Sequence, residues 1–267
     1  MPKAHWRADA DFSSTLFFIR RMDTSGYIKP EEVPVATLPL VSFIYVTAGE
    51  VLVDVDSVPF LCQPGQVLLI PQHSPFSISY YSDAVGYTGG FAASFLIDSK
   101  PLRYLSAPIH QGFWFDEGVF MAQLFNMLAD SFEKGDLLFI EKGLDLFLSR
   151  IKPDHKALGH PMVNRFLESL FTPDRLPASI AVYAGELGIS ENYLSRLVKK
   201  GTGRSVGAWI DIVRIQRAKQ MLLSTALPII DVAAAVGIED QSYFSRVFKK
   251  ETGMTPTAFK KMMQGKS

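Results

Sequence analysis

The sequence predicts an α+β chain of two domains, in which a β domain precedes an all-α domain. Two observations predict this division. Residues 1 to about 100 contain short aromatic and β-branched runs between Pro and Gly turns, whereas residues beyond 116 place apolar side chains at three- and four-residue steps. In addition, one short pattern of helix and turn residues occurs twice between Gly188 and Gly253.

The charge of the chain is unevenly distributed. The 267 residues are 48% hydrophobic and 20% charged, which is a globular composition, and the formal net charge is zero. However, residues 1–160 hold 12 Lys and Arg against 18 Asp and Glu, while residues 161–267 hold 15 against 9. This asymmetry favours a polyanionic partner for the C-terminal half alone.

Cysteine usage and hydropathy indicate the compartment. The single cysteine, Cys62, excludes an intrachain disulfide, and the absence of a basic neighbour predicts a buried strand residue rather than a redox sensor. The N-terminus lacks the apolar core of a signal peptide, and no run of eighteen apolar residues occurs. We therefore expect a cytoplasmic protein that does not enter a membrane.

The N-terminal strands are expected to pair antiparallel, because no helical pattern separates them. They are predicted at residues 41–46, 51–55, 58–62, 66–71, 76–81 and 85–97. The turn at Ala48-Gly49-Glu50, and the step Pro64-Gly65-Gln66 before an apolar strand that ends in Pro71, resemble the cupin-like jelly roll. Metal-dependent cupins carry paired histidines and a carboxylate, whereas His73 stands alone here, so we predict neither a metal, a cofactor nor an enzyme.

A jelly roll whose mouth is lined by aromatic residues can instead hold a small molecule. The candidates for such an effector pocket are Phe43, Tyr45, His73, Phe76, Tyr80 and Trp114. The alternative, that these are ordinary core or rim residues, stays open, because small domains bury much aromatic area. Alternation places Phe43 and Tyr45 on one face and Ile44 and Val46 on the other, but both faces are apolar, so the pattern does not assign the inner face.

Two amphipathic helices are predicted to follow at Asp116–Phe132 and Asp136–Ile151, which completes a first domain over residues 1–151. Their apolar face is wider than one stripe. It can cover the sheet alone, or it can also bind a second copy of the chain as a homodimer. Residues 152–161 are charged, carry Pro and Gly and lack periodicity, which is typical of a linker to a second domain at 162–267.

The repeated pattern predicts two helix-turn-helix units. Short helices at Ile180–Leu187 and Ile229–Val236 each precede a Gly-containing turn and a second helix with an Arg and a terminal Lys-Lys pair. A long helix, Val206–Leu223, joins the units after Ser205 as its N-cap. At 1.5 Å per residue it spans roughly 27 Å, which allows one chain to read two successive major grooves.

The second half resembles the AraC/XylS family of bacterial transcription regulators. The resemblance is carried by Leu194-Ser195-Arg196, by the run from Arg217 to Leu223, and most specifically by the run from Ser242 to Pro256. Val198 and Gly201 depart from the family pattern, where Phe and an acidic residue are usual. The resemblance implies a transcription regulator. It further implies an activator that is controlled by an effector bound in the β domain and that works with RNA polymerase. The alternative is a regulator without an effector, controlled by dimerisation or by a protein partner.

The resemblance also implies which side chains face the bases of double-stranded DNA: Asn192, Ser195, Arg196, Gln241, Ser242, Ser245 and Arg246. The chemistry of these residue types agrees, because Arg can pair with guanine, Asn and Gln with adenine, and Ser with either base. Four lysines suit phosphates or, alternatively, the dipole at a helix end: Lys199, Lys200, Lys249 and Lys250. Since the openings of the two second helices differ, we predict an asymmetric DNA site.

Overall fold

The structure, a computed structural model, describes residues 15–23, 35–56, 58–96, 111–114, 118–150, 160–172 and 176–264. The chain forms two compact units, Met1–Gly159 and His160–Ser267. The predicted linker at 152–161 lies outside the described residues except for its last two positions. The domain limits drawn from the sequence stay predictions.

An antiparallel sheet forms the body of the N-terminal unit, as predicted. Its strands run in the order β1-β5-β2-β4-β6, and β3 pairs with the second half of β2. Their bounds are β1 Phe17–Asp23, β2 Val41–Val55, β3 Val58–Cys62, β4 Gln66–Ile70, β5 Phe76–Phe91 and β6 Gln111–Trp114. The cupin-like jelly roll stays a prediction.

One strand prediction was wrong at its end. The strand predicted at residues 85–97 ends early, at Phe91, where β5 stops. A short 3₁₀ turn, Ala93–Leu96, follows. The backbone N–H of Ala92 still reaches across to Leu16 O at 2.8 Å, but the N–H of Phe95 turns back to Ala92 O at 2.9 Å. A local turn bond therefore replaces the ladder although the residues are apolar.

A bend at Gly49 joins two predicted strands into the single long strand β2. The register with β5 shifts on both sides of Ala48, and Gly49 adopts a φ of 68°. A Cβ at this position would lie 2.2 Å from Ser82 O, so only glycine fits. The shift changes which side chains face inward, and even-numbered Ile44 and Val46 share a core with odd-numbered Val51 and Val53.

Both faces of the sheet are buried. Phe43 and Tyr45 pack under two helices, whereas Ile44 and Val46 lie in the opposite core. Cys62 belongs to that opposite core as a free, fully buried thiol, and burial raises its pKa to about 12. This confirms that Cys62 is a structural residue with little thiolate character.

The two helices that cover the sheet are α1, Gly118–Lys134, and α2, Leu137–Ser149. They are separated at Gly135, which has a φ of 71°, and Asp136 caps α2 by accepting a hydrogen bond from Phe139 N at 3.0 Å. Their inner faces bury Phe125, Leu128 and Phe147 among others. Their outer faces still carry exposed apolar residues, including Val119 at 78% and Leu138 at 67% exposure.

The regular elements of the C-terminal unit are all helices within its described residues. The helices are α3 Pro161–Phe171, α4 Ile180–Leu187, α5 Glu191–Thr202, α6 Val206–Ser224, α7 Ile229–Ala235, α8 Gln241–Thr252 and α9 Pro256–Gln264. The predicted bounds agree to within one residue for α4, α6 and α7. No helix among the residues that the structure describes is long and apolar enough to cross a membrane.

A threonine fixes the corner between each second helix and the helix after it. The Thr202 hydroxyl donates to Val198 O at 2.8 Å and accepts from Arg204 N at 3.2 Å and from the buried Trp209 Nε1 at 2.9 Å. One hydroxyl has one donor and two lone pairs, so its capacity is filled. Thr252 bonds Phe248 O and Met254 N in the same way. The repeat therefore extends past Gly253, with Phe259 standing where the first copy has Trp209.

Replacing the two threonines by valine should have unequal effects. Thr202→Val leaves the buried Trp209 N–H without its acceptor. We therefore expect this change to lower the free energy of unfolding by about 1–3 kcal/mol more than the matched change Thr252→Val lowers it. The control keeps the same change of shape, but the side chain of Phe259 has no N–H to lose. Urea denaturation followed by far-UV circular dichroism measures both, and an equal loss would contradict this account of the corner.

Candidate nucleic-acid interface

Capping residues fix where α5 and α8 begin and end. Ser190 Oγ accepts from Tyr193 N at 3.3 Å, and the Asp240 carboxylate accepts from Ser242 N at 2.7 Å and Tyr243 N at 2.9 Å. The hydrogen bonds from these two N–H groups hold the pKa of Asp240 below its usual value. Both helices are 12 residues long and end at a left-handed glycine, Gly203 or Gly253.

Because the caps correspond, the two helices can be aligned residue by residue. Ser190 matches Asp240, so Glu191 matches Gln241 and Asn192 matches Ser242. The extra residue of the second copy then falls in the turn before the cap. The alignment places Glu191 at the position of the predicted base-facing residue Gln241, although Glu191 is not among the residues predicted from sequence. Comparing the copies from their N-caps would have found it.

The two helices show the same pattern of burial over their first ten residues. Leu194 and Val198 are buried in α5, as Phe244 and Phe248 are in α8. Of the seven predicted base-facing residues, Ser195 and Ser245 are half-buried and the others are exposed: Asn192, Arg196, Gln241, Ser242 and Arg246. The structure therefore brings the predicted residues of each copy together on one exposed helix face.

The polar groups on these faces are available for a ligand. Among the residues that the structure describes, none of the seven side chains has a hydrogen bond to another protein group, and neither does Glu191. The guanidinium carbons of Arg196 and Arg246 each lie 5.9 Å from the ring centre of the tyrosine three residues earlier. Their N–H donors are left unused by the ring contact and can bond to a base edge or to phosphate.

The four predicted phosphate-binding lysines differ in their surroundings. Lys199 Nζ donates to Gly203 O at 2.7 Å and so caps its own helix, and Lys250 Nζ lies 3.6 Å from Glu251 Oε1. Lys200 and Lys249 are exposed and have no side-chain partner within the described ranges. A cation at a helix C-terminus is stabilised by the dipole in either case, but only at Lys200 and Lys249 does no other described group compete with phosphate for the ammonium group.

The predicted effector-pocket residues do not come together as one group. Phe43 and Tyr45 lie in the helix-side core, where the Tyr45 ring stacks 4.7 Å from that of Phe125 and its hydroxyl donates to Gly118 O at 3.1 Å. Phe76 lies in the opposite core, and His73 is an exposed turn residue with a φ of 64°.

The remaining two candidates differ in how far the structure describes them. The buried Tyr80 donates its hydroxyl to Glu50 Oε1 at 3.2 Å, while the side chain of Trp114 lies outside the described residues. No group of three or more His, Cys, Asp or Glu residues that could hold a metal occurs in the described part of the chain.

Comparison with known proteins identifies the family. A helix-turn-helix domain model matches residues 183–262. The arabinose operon regulatory protein of Escherichia coli K12 is 30% identical over 228 residues, which covers 79% of this chain and 77% of that protein. This chain belongs to the AraC/XylS family of transcription regulators. It is a DNA-binding regulator, and its relatives are transcription regulators rather than enzymes.

Two further known proteins each match part of the chain. The transcriptional activator RhaR of E. coli K12 is 31% identical over 134 residues, or 48% of this chain and 46% of that protein. Among solved structures, the C-terminal domain of AraT, a response regulator from Geobacillus stearothermophilus, is 33% identical with a TM-score of 0.35 and covers 39% of this chain and 86% of that one.

The difference between the lysines predicts a difference in salt dependence. For Lys249→Ala we expect the plot of the logarithm of the DNA association constant against the logarithm of salt concentration to become less steep. The negative slope should shrink by about 1 on any DNA sequence, because one phosphate contact is lost. For Lys199→Ala we expect a smaller change, since that ammonium group already bonds Gly203 O. Fluorescence anisotropy with a random-sequence duplex at several salt concentrations measures both slopes, and equal slopes would contradict the assignment.

Proposed function

We propose that this regulator reads one asymmetric DNA site with α5 and α8, each placed in a major groove. The observation that carries the proposal is the pair of equivalent helix faces, whose polar side chains are exposed or half-buried and make no hydrogen bonds within the described protein. Arg196 and Arg246 suit guanine, Asn192 and Gln241 suit adenine, and Ser195, Ser242 and Ser245 can approach either base. Lys200 and Lys249 would bind phosphates and fix the register, with weaker contributions from Lys199 and Lys250.

The asymmetry of the site follows from the first two positions of the reading helices. The first helix opens with Glu191-Asn192 and the second with Gln241-Ser242. A glutamate only accepts hydrogen bonds, which suits the N4 amino group of cytosine, whereas a glutamine both donates and accepts, which suits adenine. We expect the two half-sequences to differ and to lie about one helical turn, ~34 Å, apart.

Selection of binding sequences from a random DNA pool, followed by single base-pair changes in the selected site, tests this proposal. Arg246→Ala should cost about 1–3 kcal/mol on the selected site and relax the preference at one base pair of one half-site. The matched Arg196→Ala variant should relax one base pair of the other half-site. A palindromic consensus, or an equal loss on selected and random DNA for both variants, would contradict the proposal.

We also propose that the N-terminal unit, as a cupin-like domain, binds a small-molecule effector that controls activation. The support is that the 228-residue match to the arabinose operon regulatory protein is longer than the whole C-terminal unit and so extends into the N-terminal one. The name of RhaR supports activation, which implies RNA polymerase as a partner. Thermal unfolding of the full chain with sugars, fatty acids, aromatic acids and bile-type compounds tests effector binding. If none of these compounds raises the melting temperature, control by dimerisation or by a protein partner is favoured instead.

The exposed apolar residues of α1 and α2 support a homodimer through these helices. Val119, Leu137 and Leu138 are each more than half exposed although their helices bury an opposite face. Apolar area of this kind is commonly covered by another subunit. Sedimentation equilibrium of the full chain tests this, and a monomer at micromolar concentration would contradict it.

A further inference from the structure

A hydrogen bond ties the second reading helix to the long helix α6. The Tyr243 hydroxyl on α8 donates to Asp211 Oδ2 on α6 at 2.6 Å, across 32 residues of sequence. The other oxygen of the same carboxylate lies 3.9 Å from Arg214 Nη1, one turn further along α6. The hydrogen bond to the carboxylate is the main cause of the raised pKa of Tyr243, so the hydroxyl stays a donor at neutral pH. The ring of Tyr243 is therefore fixed at its far end.

Arg246 rests on this ring. Its guanidinium carbon lies 5.9 Å from the ring centre, one helical turn after Tyr243, and the side chain has no hydrogen bond to other described residues. The ring face attracts the cation and limits the rotamers that the long side chain samples. Because Asp211 fixes the ring, it also restricts Arg246 indirectly.

The first reading helix has the same tyrosine and arginine but lacks the anchor. Arg196 lies 5.9 Å from the ring centre of Tyr193, the same distance as in α8, and the two tyrosines are exposed to nearly the same extent, 41% and 38%. Among the residues that the structure describes, however, the Tyr193 hydroxyl has no hydrogen-bond partner. The chain thus contains its own control, with two like tyrosine–arginine pairs of which only one is anchored.

We propose that Tyr243, held by Asp211, is a positioning residue that orients Arg246 toward one base pair of the second half-site. The first half-site is read without this support. The inference rests on the proposed role of Arg246 in base reading. An arginine that is already oriented loses less conformational freedom on binding, so the anchored pair discriminates more sharply at its base pair than the unanchored pair does.

The test compares Tyr243→Phe with Tyr193→Phe in the full chain. Binding is measured by fluorescence anisotropy on the selected site, on its single base-pair variants and on random DNA. Tyr243→Phe should lower discrimination about 3- to 10-fold at the base pair that Arg246→Ala affects and leave affinity for random DNA unchanged. Tyr193→Phe should change discrimination less than about 2-fold at the base pair that Arg196→Ala affects. The double variant Tyr243→Phe with Arg246→Ala should be no worse than Arg246→Ala alone, because both changes remove one interaction.

Two changes at Asp211 separate positioning from stability. Asp211→Ala should reproduce the loss seen with Tyr243→Phe, whereas Asp211→Asn keeps an acceptor oxygen and should restore most of the discrimination. If Tyr243→Phe does not fold, the comparison of Asp211→Ala with Asp211→Asn tests the same positioning role. An equal loss on all sequences, an equal loss for Tyr193→Phe, or additivity in the double variant would overturn the inference. If Arg246→Ala itself leaves every base preference unchanged, the base-reading proposal fails instead.

Discussion

The buried corner at Thr202 is the interaction on which the arrangement of the C-terminal unit depends. A reading helix is useful only if its exposed face is held at a fixed angle to the rest of the protein, and hydrogen bonds at a helix end fix that angle better than apolar contact alone. The Thr202 hydroxyl joins the end of α5, the turn at Arg204 and the indole of Trp209 on α6. Because all three partners are buried or part-buried, none of the bonds is easily replaced by water.

The duplicated copies differ where packing permits. Buried positions keep their apolar character in both helices, with Leu194 and Val198 matched by the larger Phe244 and Phe248, since a polar side chain there would be buried without a partner. The exposed opening is free of that constraint, and its residues have diverged in hydrogen-bonding type, from Glu191 to Gln241 and from Asn192 to Ser242. The same division explains why one scaffold can present two different surfaces. The turn between α7 and α8 absorbs the additional residue of the second copy, so the phase of the helix after the cap is unchanged.

Local signals made the helical half predictable from sequence, and contacts distant in sequence account for most of what was missed. Caps, left-handed glycines and apolar spacing are read from neighbouring residues, and the predicted bounds of α4 and α6 agree with the structure to within one residue. The register shift at Gly49 depends instead on the close approach of Ser82, so no alternation pattern in β2 could show that odd and even residues share a core. For the same reason the aromatic residues chosen as a pocket are divided between two cores. The Tyr243–Asp211 bond spans 32 residues and leaves no periodic trace.

The contacts of α6 also change how the spacing of the two reading helices is explained. From sequence, the spacing was derived from the full length of the connecting helix. In the structure, Trp209 bonds the end of α5 and Asp211 bonds α8, and these residues are two positions apart on α6. Their Cα atoms are separated along the axis by only about 3 Å, at 1.5 Å per residue. Both reading helices therefore have a hydrogen bond to the same turn of α6, so the length of the connecting helix does not by itself set the distance between their exposed faces.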